Sequence, residues 1–582
     1  MEPLRTAAVS TKGVPTEASR NSERQLPYGN GKFQLLILFS TTATMGVFGL
    51  HYDSFKLTAG VMDHWCRRPH SFANLSVSDW KRMAIPLDER GEFSRCSVRD
   101  PPDAGDTATI VPCTSWEFDL EQFGNNIVSE WVLVCDRLWL IEVARLVCSV
   151  TCVASLPVVG ALADRVGRKT VVFIAIPVVL IAGTGSSVPK DFQFFVAVRA
   201  VVSAATSVLM PPMLAVFYEV TPSSKIPAYA TAAALLSIVM TPITLFFAQL
   251  YRAGWATLQL ILMIPTCLLV LLYYCVDESP AWLSATGQVR EAERVALRAA
   301  SLNKVSLQLC RDMLAQQELD VSVNHKDAVE CCGLCRSHLR PRTILLAYMW
   351  TALSYAYDTF VISDGVAVSD TVTVVGYIAS VTACFLAVHC IVRFGFRSIV
   401  VASGLAFGTS SAILALTYSQ NETLMRDSLV IFMRVAGSVC FTFFVPQSLG
   451  AYPVITHCRG AAWNVAFSRI GDNLAQAITA HLDDRHTDLR LAVAAAVMSL
   501  FAVSAQVLPY EYEWVLQGRS TSDVRRIAAS AEESKRAMQD TLVPLPKQPL
   551  KRRIPTEPDR VSLPAEQYSS HSIQKSLAIS LG

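Results

Sequence analysis

Charged and aromatic side chains fall within stretches of the sequence that are otherwise almost entirely apolar. Arg469 stands three residues before Asp472 in the apolar run 461–481, and Asp358 follows Tyr357 in another run. An ionisable group inside such a run is costly unless it is paired or hydrated. A guanidinium binds a carboxylate through two parallel hydrogen bonds, and a tyrosine ring offers its face to a cation. These residues could therefore bind a small organic ion.

Each of these candidates has a structural alternative. Arg469 could contact the carboxylate of a substrate, or it could pair with Asp472 on the same helix face. Asp358 could hold an ammonium group or a co-transported proton, or it could be an unselective carboxylate in a vestibule. Phe441 and Phe444 could supply cavity-facing aromatic rings, with helix or lipid contact as the alternative. If Arg469 and Asp358 both contact the substrate, their opposite charges suit a zwitterion.

A second charged pattern surrounds a glycine turn at 164–169, where Asp164, Arg165, Gly167, Arg168 and Lys169 follow an apolar run. Glycine permits a tight turn, and the flanking charges can pair with helix ends and with charges on a facing segment. This pattern predicts a latch that forms in only one conformational state. The alternative is that the basic residues only fix membrane topology.

The elements that must position these residues are membrane spans. The chain of 582 residues is 52% hydrophobic and only 17% charged, with a mean hydropathy of +0.36, whereas soluble domains carry about 25% charged residues. We find twelve apolar runs of spanning length. They lie near 33–52, 138–162, 170–188, 194–218, 228–250, 255–276, 343–362, 372–392, 398–418, 428–449, 461–481 and 489–509.

The charges of the short loops favour cytosolic N- and C-termini, because basic residues concentrate on the cytosolic side. This orientation places residues 53–137 on the extracellular side, which is an oxidising environment. That stretch contains Cys66, Cys96, Cys113 and Cys135. We expect two disulfides there, and the sequence leaves three pairings open. The sequons at Asn74 and Asn421 also fall outside and are predicted glycosylation sites.

A polar segment divides the twelve spans into two halves of six, and similarly placed charged residues recur in both halves. Arg393 and Arg397 flank Gly395, which lies 228 residues after Gly167. Arg199 and Arg434 stand near the outer starts of the fourth and tenth spans. We predict that these two arginines serve the outer gate or contact lipid headgroups, rather than a ligand. The spacing predicts two related six-helix halves.

The predicted organisation has five parts. They are a cytosolic N-terminal tail at 1–32, a first half at 33–276, a cytosolic linker with amphipathic helices at 277–342, a second half at 343–509 and a disordered cytosolic tail at 510–582.

Several motifs together resemble one transporter family. Residues 164–169 resemble the loop signature of the major facilitator superfamily, and residues 130–135, 255–259 and 277–283 resemble its organic cation, organic anion and carnitine transporters. The resemblance implies an all-α membrane protein with twelve spans in two pseudo-symmetric halves. It also implies a plasma-membrane solute carrier that moves small organic ions by alternating access. Arg469 matches a position that is Arg in the family's anion and carnitine carriers and Asp in its cation carriers, which favours an anion or zwitterion.

The chain also departs from the family pattern. The first half keeps Glu219, but Val392, Gly450 and His457 stand where the family usually has charged residues. The latch of the second half is therefore expected to be eroded. Two alternatives remain open: an organic cation carrier, and a non-transporting binding or adaptor protein on a carrier fold.

Other function classes lack their signatures. The sequence has no Walker loop, dinucleotide-binding glycines, zinc-protease motif or nucleophile elbow, so we predict no enzyme activity, no cofactor and no metal site. A formal charge of +2 supplies no field for nucleic acid. The expected partners are a small organic ion, the lipid bilayer and a co-transported ion or exchanged solute.

Overall fold

The structure is a computed structural model and is described for part of the chain. The described residues are 26–60, 62–88, 91–104, 108–120, 124–236, 254–321, 334, 339–362, 369–418, 423–482 and 486–508. The predicted tail at 510–582 and most of the tail at 1–32 lie outside them.

Among the described residues, twelve helical segments follow the twelve apolar runs. They are α1 Lys32–Thr58, α2 Trp139–Val166, α3 Arg168–Gly185, α4 Phe192–Val220, α5 Ile226–Leu236, α6 Trp255–Cys267, α7 Arg340–Tyr357, α8 Thr371–Ile391, α9 Arg393–Thr417, α10 Thr423–Leu449, α11 His457–His481 and α12 Thr487–Val507. Eight of these described helices are long and apolar enough to cross a membrane by length and composition alone. The other four are α5 and α6, which are shorter, and α7 and α11. The charges in α11, Arg459, Arg469 and Asp472, require partners within the protein.

Two glycine turns have similar backbone geometry in the two halves. Gly167 between α2 and α3 has φ 105° and ψ 149°, and Gly395 between α8 and α9 has φ 80° and ψ 165°. Both conformations lie at positive φ, which glycine adopts without steric cost. The equivalent turns agree with the duplicated halves that the sequence spacing predicts.

The segment between α1 and α2 contains strands as well as short helices. The sequence did not predict these strands. The strands are β1 His64–Cys66, β2 Ser97–Asp100, β3 Thr109–Pro112 and β4 Trp116–Phe118. β1 pairs antiparallel with β4 and β2 with β3, with His64 opposite Phe118 and Ser97 opposite Pro112. Helices Val77–Ala84 and Ile127–Glu130 complete the segment. We call the end of the bundle that carries it the loop end.

Disulfides hold this segment together. Cys66 pairs with Cys113 and Cys96 with Cys135, which selects one of the three pairings that the sequence left open. The fully buried Trp80 ring lies beneath β1 and donates its indole N–H to the Cys66 carbonyl at 2.9 Å. Asn74 is exposed in a turn, as a glycosylation site requires, and Asn421 lies outside the described residues.

Replacing Cys96 and Cys135 together with serine is expected to lower the stability of the loop-end segment by about 2–4 kcal/mol, because the unfolded segment gains freedom. Thermal unfolding of the purified protein measures the change. Cys267→Ser is the control, since Cys267 is an exposed free thiol. Equal melting temperatures for the two variants would contradict the assigned bridge.

The polar segment between the halves folds into helices Pro280–Ala285, Val289–Leu302 and Leu307–Val321. All three lie in the segment 277–342, for which the sequence predicts amphipathic helices. Asn303 ties this segment to α1, because its side chain accepts from the Phe33 N–H and donates to the Tyr28 carbonyl, both at 2.9 Å. We call this end of the bundle the linker end.

Candidate functional site

An ion-paired cluster joins the two halves at the linker end. Arg168 Nη2 donates to Glu219 Oε1 at 2.9 Å and to the Val454 carbonyl at 2.8 Å. His457 Nδ1 lies 2.9 Å from the same Glu219 oxygen, and the Arg168, Glu219 and His457 side chains are all fully buried. Since Arg168 and Glu219 belong to the first half and His457 to the second, this contact spans the interface.

Asp164 completes the cluster by capping a helix of the opposite half. Its two carboxylate oxygens accept from the backbone N–H groups of Cys458 at 3.2 Å and Arg459 at 3.0 Å, in the first turn of α11. A carboxylate at this position satisfies unpaired donors and interacts favourably with the helix dipole. Arg168 lies 3.7 Å from the same side chain. We call Asp164, Arg168, Glu219 and His457 the latch.

The loop after α6 supports the latch from one side. Glu278 accepts from the backbone N–H groups of Arg168 at 3.1 Å and Lys169 at 3.0 Å. Burial raises the pKa of Glu278, while the nearby Arg168 guanidinium opposes the rise. A Cβ on Gly167 would lie 2.5 Å from a Glu278 oxygen, so this glycine is required both for its backbone angles and for the close approach of Glu278.

The structure corrects one expectation about the latch. His457 is one of its members, so the departure from the family residue at this position does not remove the contact between the halves. The charges of the second glycine turn make other contacts. Arg393 is exposed beside the ring of Phe394, and Arg397 donates to the Leu508 carbonyl at 2.9 Å. Of the first-turn residues, Arg165 is exposed and Lys169 lies 3.5 Å from Asp277.

A cavity of about 60 Å³ lies between helices α1, α2, α4 and α11, room for about four water molecules. Most of its lining is polar or aromatic. The lining residues are Phe48, His51, Tyr52, Phe55, Arg145, Cys148, Ser149, Cys152, Arg199, Ser203, Thr206, Ser207, Arg469, Asp472, Asn473 and Gln476. Gln476 donates to the Tyr52 hydroxyl at 3.1 Å, which joins the halves on the cavity side as well.

Arg469 faces the cavity and has a carboxylate partner on its own helix. It lines the cavity, and its Nη1 lies 3.1 Å from Asp472 Oδ2. Its guanidinium also stands 4.7 Å from the centre of the Phe48 ring and 4.6 Å from that of Tyr52. The pairing with Asp472 that the sequence offered as an alternative is therefore present, and two aromatic faces also balance the charge of Arg469.

The predicted residues of α7 and α10 do not line this cavity. Tyr357 stacks on Phe441 with ring centres 4.8 Å apart, and the fully buried Phe444 packs against Trp350 at 5.0 Å. Their rings pack against other side chains of the second half. Asp358 is buried and interacts electrostatically with Arg469, so it lies near the cavity without forming its wall.

Arg199 and Arg434 are buried within the bundle, which contradicts the prediction of headgroup contacts. Arg199 is 3% exposed and lines the cavity. Arg434 is 1% exposed, and its guanidinium lies 5.4 Å from the centre of the Tyr377 ring.

The comparisons with known proteins agree with this architecture. The family model for the Major Facilitator Superfamily matches residues 140–463. The chain belongs to the major facilitator superfamily. The fold of this superfamily has twelve helices in two halves, and its members are multi-pass membrane transporters rather than enzymes.

Relatives within the superfamily confirm the resemblance to organic ion transporters. The chain is 25% identical to solute carrier family 22 member 6 of Rattus norvegicus, over 76% of this chain and 83% of the relative. It is 23% identical to the beta-alanine transporter of Drosophila melanogaster, over 56% and 60%. The proton:xylose symporter XylE shares the fold, with a TM-score of 0.58, 15% identity and coverage of 82% and 96%.

The superfamily motifs of this chain account for much of the observed geometry. Trp131 and Trp255, from two motifs that are distant in sequence, meet with ring centres 5.1 Å apart at the loop end. Trp282, from a third motif, donates to the Asp164 carbonyl at 3.2 Å. Residues of the motifs that suggested the family therefore form and stabilise contacts between helices in this structure.

Sequence reasoning missed several residues of the cavity of this major facilitator protein. His51 and Tyr52 stand at the end of the first apolar run, and Asn473 and Gln476 follow Arg469 by four and seven residues. The spacing of the last two places them on the same helix face as Arg469, so a periodicity analysis could have found them. The first two carried no comparable signal, because polar residues are common at the ends of spans.

Asp164→Ala is expected to reduce transport more than Asp164→Asn does, because asparagine keeps one oxygen that can cap α11. Loss of a helix cap costs about 0.5–2 kcal/mol, which would shift the closed state of the latch several-fold. Initial uptake rates at matched surface abundance measure the effect. Asp488→Asn is the control, since Asp488 is exposed in the first turn of α12. Uptake by both Asp164 variants equal to that of the control would contradict the capping role.

Proposed function

We propose that this protein is a plasma-membrane carrier of small organic anions or zwitterions that works by alternating access. The observation that carries the proposal is the cavity at the interface of the halves, whose wall contains Arg145, Arg199 and Arg469 but, among the described residues, only the carboxylate Asp472. A wall with more guanidinium than carboxylate groups attracts a negatively charged ligand. The aromatic rings of Phe48 and Phe55 supply apolar contact for the rest of the molecule.

The proposed orientation places the linker end in the cytosol and the loop end outside. The two disulfides of the loop-end segment support this choice, because disulfides persist in oxidising compartments. The exposed Arg165 and Arg393 at the linker end support it as well, since basic residues concentrate in cytosolic loops. Both termini are then cytosolic.

In this proposal the latch closes the cytosolic side while the ion binds from outside. Separation of the halves at the linker end would break the contacts of Glu219 with His457 and of Asp164 with α11. The buried charges would then be hydrated by the water that enters, and the ion would leave toward the cytosol. A co-transported ion or an exchanged solute would supply the driving force, since the sequence contains no ATP-binding motif.

The charges of the cavity wall suit a zwitterion as well as an anion. A relative of this chain is named as a beta-alanine transporter, and beta-alanine is a small zwitterion. For such a ligand the guanidinium groups would bind the carboxylate, while Asp472 and the nearby Asp358 would attract the ammonium group.

An uptake panel tests the proposal. Cells that produce the protein are given labelled benzoate as an anion, beta-alanine as a zwitterion or tetraethylammonium as a cation. We expect saturable uptake of benzoate or beta-alanine, and a loss of tenfold or more in Arg469→Ala. Uptake of tetraethylammonium alone would instead identify a cation carrier. Normal anion uptake by Arg469→Ala would contradict the assigned role of Arg469.

A non-transporting binding protein is the second candidate. The contacts of Arg393 with the Phe394 ring and of Arg397 with the Leu508 carbonyl favour it, because the described latch consists mainly of charges of the first half. This alternative predicts that benzoate or beta-alanine raises the melting temperature without any flux above background. Saturable flux that a charge change at Asp164 abolishes would exclude it.

A further inference from the structure

Arg199 differs from the other two arginines of the cavity in how its charge is balanced. Arg145 lies 2.9 Å from Glu142, and Arg469 lies 3.1 Å from Asp472. Arg199 donates to the His51 carbonyl at 2.9 Å, to Ser54 Oγ at 3.1 Å and to Gln259 Oε1 at 3.2 Å. All three acceptors are neutral, and among the described residues no carboxylate lies within ion-pair distance of Arg199.

A buried charge without a counter-charge is costly to maintain. Arg199 is 3% exposed, and its Nε has no hydrogen-bond partner within the described part of the chain. The three neutral acceptors hold the guanidinium in a defined orientation at the cavity wall. They do not neutralise its charge, so the field of this cation acts on whatever occupies the cavity.

We infer that Arg199 is the residue that binds the carboxylate of the substrate and that it determines the preference for anions. The inference rests on the proposed function, and it assigns to Arg199 the charge recognition that the family resemblance would assign to Arg469. Among the described residues, Arg199 is the only arginine of the cavity wall without a carboxylate partner, and the carboxylate of a substrate would supply one. Arg469, already paired with Asp472, then positions the aromatic rings of Phe48 and Tyr52.

A purely structural role would look different in a binding experiment. If Arg199 only ties α4 to α1 and α6 through His51, Ser54 and Gln259, its loss weakens the binding of every ligand to a similar extent. If Arg199 recognises charge, its loss weakens only ligands that carry a carboxylate. The comparison of a carboxylate with its own uncharged amide separates the two roles.

The experiment uses whichever of benzoate and beta-alanine the wild type binds more tightly, paired with benzamide or beta-alaninamide. Dissociation constants are measured on the purified full chain. A charge-assisted hydrogen bond contributes about 1.5–3 kcal/mol, so the wild type is expected to prefer the carboxylate by about tenfold or more. In Arg199→Gln the preference should fall close to one, with the amide affinity unchanged. Arg199→Lys should keep part of the preference. The control Arg294→Gln should keep all of it, since Arg294 is exposed in the helix Val289–Leu302, away from the cavity.

Four outcomes would overturn the inference. The first is equal weakening of both ligands in Arg199→Gln, and the second is an unchanged preference in that variant. The third is a preference that disappears in Arg469→Gln instead. The fourth is ligand binding that depends on chloride in the wild type but not in a variant that lacks Arg199. The last outcome, tested by replacing chloride with sulfate, would assign Arg199 to an inorganic anion. The first three leave the proposed function intact, whereas failure of the wild type to bind either carboxylate would contradict the proposed function as well.

A measurement on the wild type covers the case in which Arg199→Gln does not fold. Cys148 lines the same cavity and interacts electrostatically with Arg199. A carboxylate at Arg199 is expected to slow the alkylation of Cys148 several-fold, and its amide at the same concentration is not. Equal protection by the carboxylate and the amide, or protection by neither, would contradict the inference.

Discussion

Replacing Glu219 with glutamine is expected to abolish transport and to lower the free energy of unfolding by about 3–5 kcal/mol, because it leaves a buried cation without its closest counter-charge. Arg168 and His457 both contact the same Glu219 oxygen at 2.9 Å, and all three side chains are fully buried. An amide keeps the shape of the side chain but not its charge. Glu219→Gln therefore tests the charge itself.

Uptake at matched surface abundance and thermal unfolding of the purified protein measure the two effects. Glu293→Gln is the matched control, because Glu293 forms an ion pair with Arg311 at 3.3 Å in which both side chains are about half exposed. Exposed pairs contribute about 0–1 kcal/mol. If both variants behave alike, the latch does not hold the linker end closed.

Gly160→Ala is expected to favour separation of the halves at the linker end. A Cβ at this position would lie 2.6 Å from the Ala462 Cβ and 3.0 Å from the Cys458 carbonyl oxygen. Neither group is a flexible side-chain end, so the helices α2 and α11 must move apart. Overpacking of this kind costs about 1–3 kcal/mol. Since about 1.4 kcal/mol is a tenfold change in an equilibrium, the open population should rise by roughly tenfold or more.

The alkylation rate of Cys458 reports this change, because the Cys458 side chain is completely buried at the contact between the two helices. Gly185→Ala is the control, since a Cβ at Gly185, the last residue of α3, would meet nothing within 4 Å. We expect Cys458 to react about tenfold faster in Gly160→Ala than in Gly185→Ala. Equal rates would mean that the close crossing at Gly160 does not control opening.

The sequence predicted the architecture well, because spans and glycine turns leave local signals. Among the described residues, each apolar run contains a helical segment, and Gly167 and Gly395 adopt positive φ as turn residues. Asp164 caps a helix of the other half, which is one of the pairings that the turn pattern suggested. The strands between α1 and α2 were missed, because they are only three or four residues long and such short runs carry little periodicity.

The site was predicted less well, because it depends on contacts between distant segments. Arg469 lines the cavity but is paired with Asp472. Arg199 was assigned to the outer gate or the lipid headgroups, and it is buried at the cavity wall. No local pattern shows that Arg199 meets only neutral acceptors from α1 and α6. The role of His457 was likewise hidden, since its partner Glu219 is 238 residues away. The sequence alone does not show which of two residues so far apart along the chain will meet in the fold.

Counterflow in proteoliposomes is the measurement that tests the central claim most directly. Purified wild-type protein is reconstituted in vesicles loaded with unlabelled benzoate or beta-alanine, and labelled ligand is added outside. A carrier that alternates between two states should accumulate label transiently and saturably, and Glu219→Gln should not. Ligand binding without any accumulation above empty vesicles would contradict the carrier account and identify a binding protein.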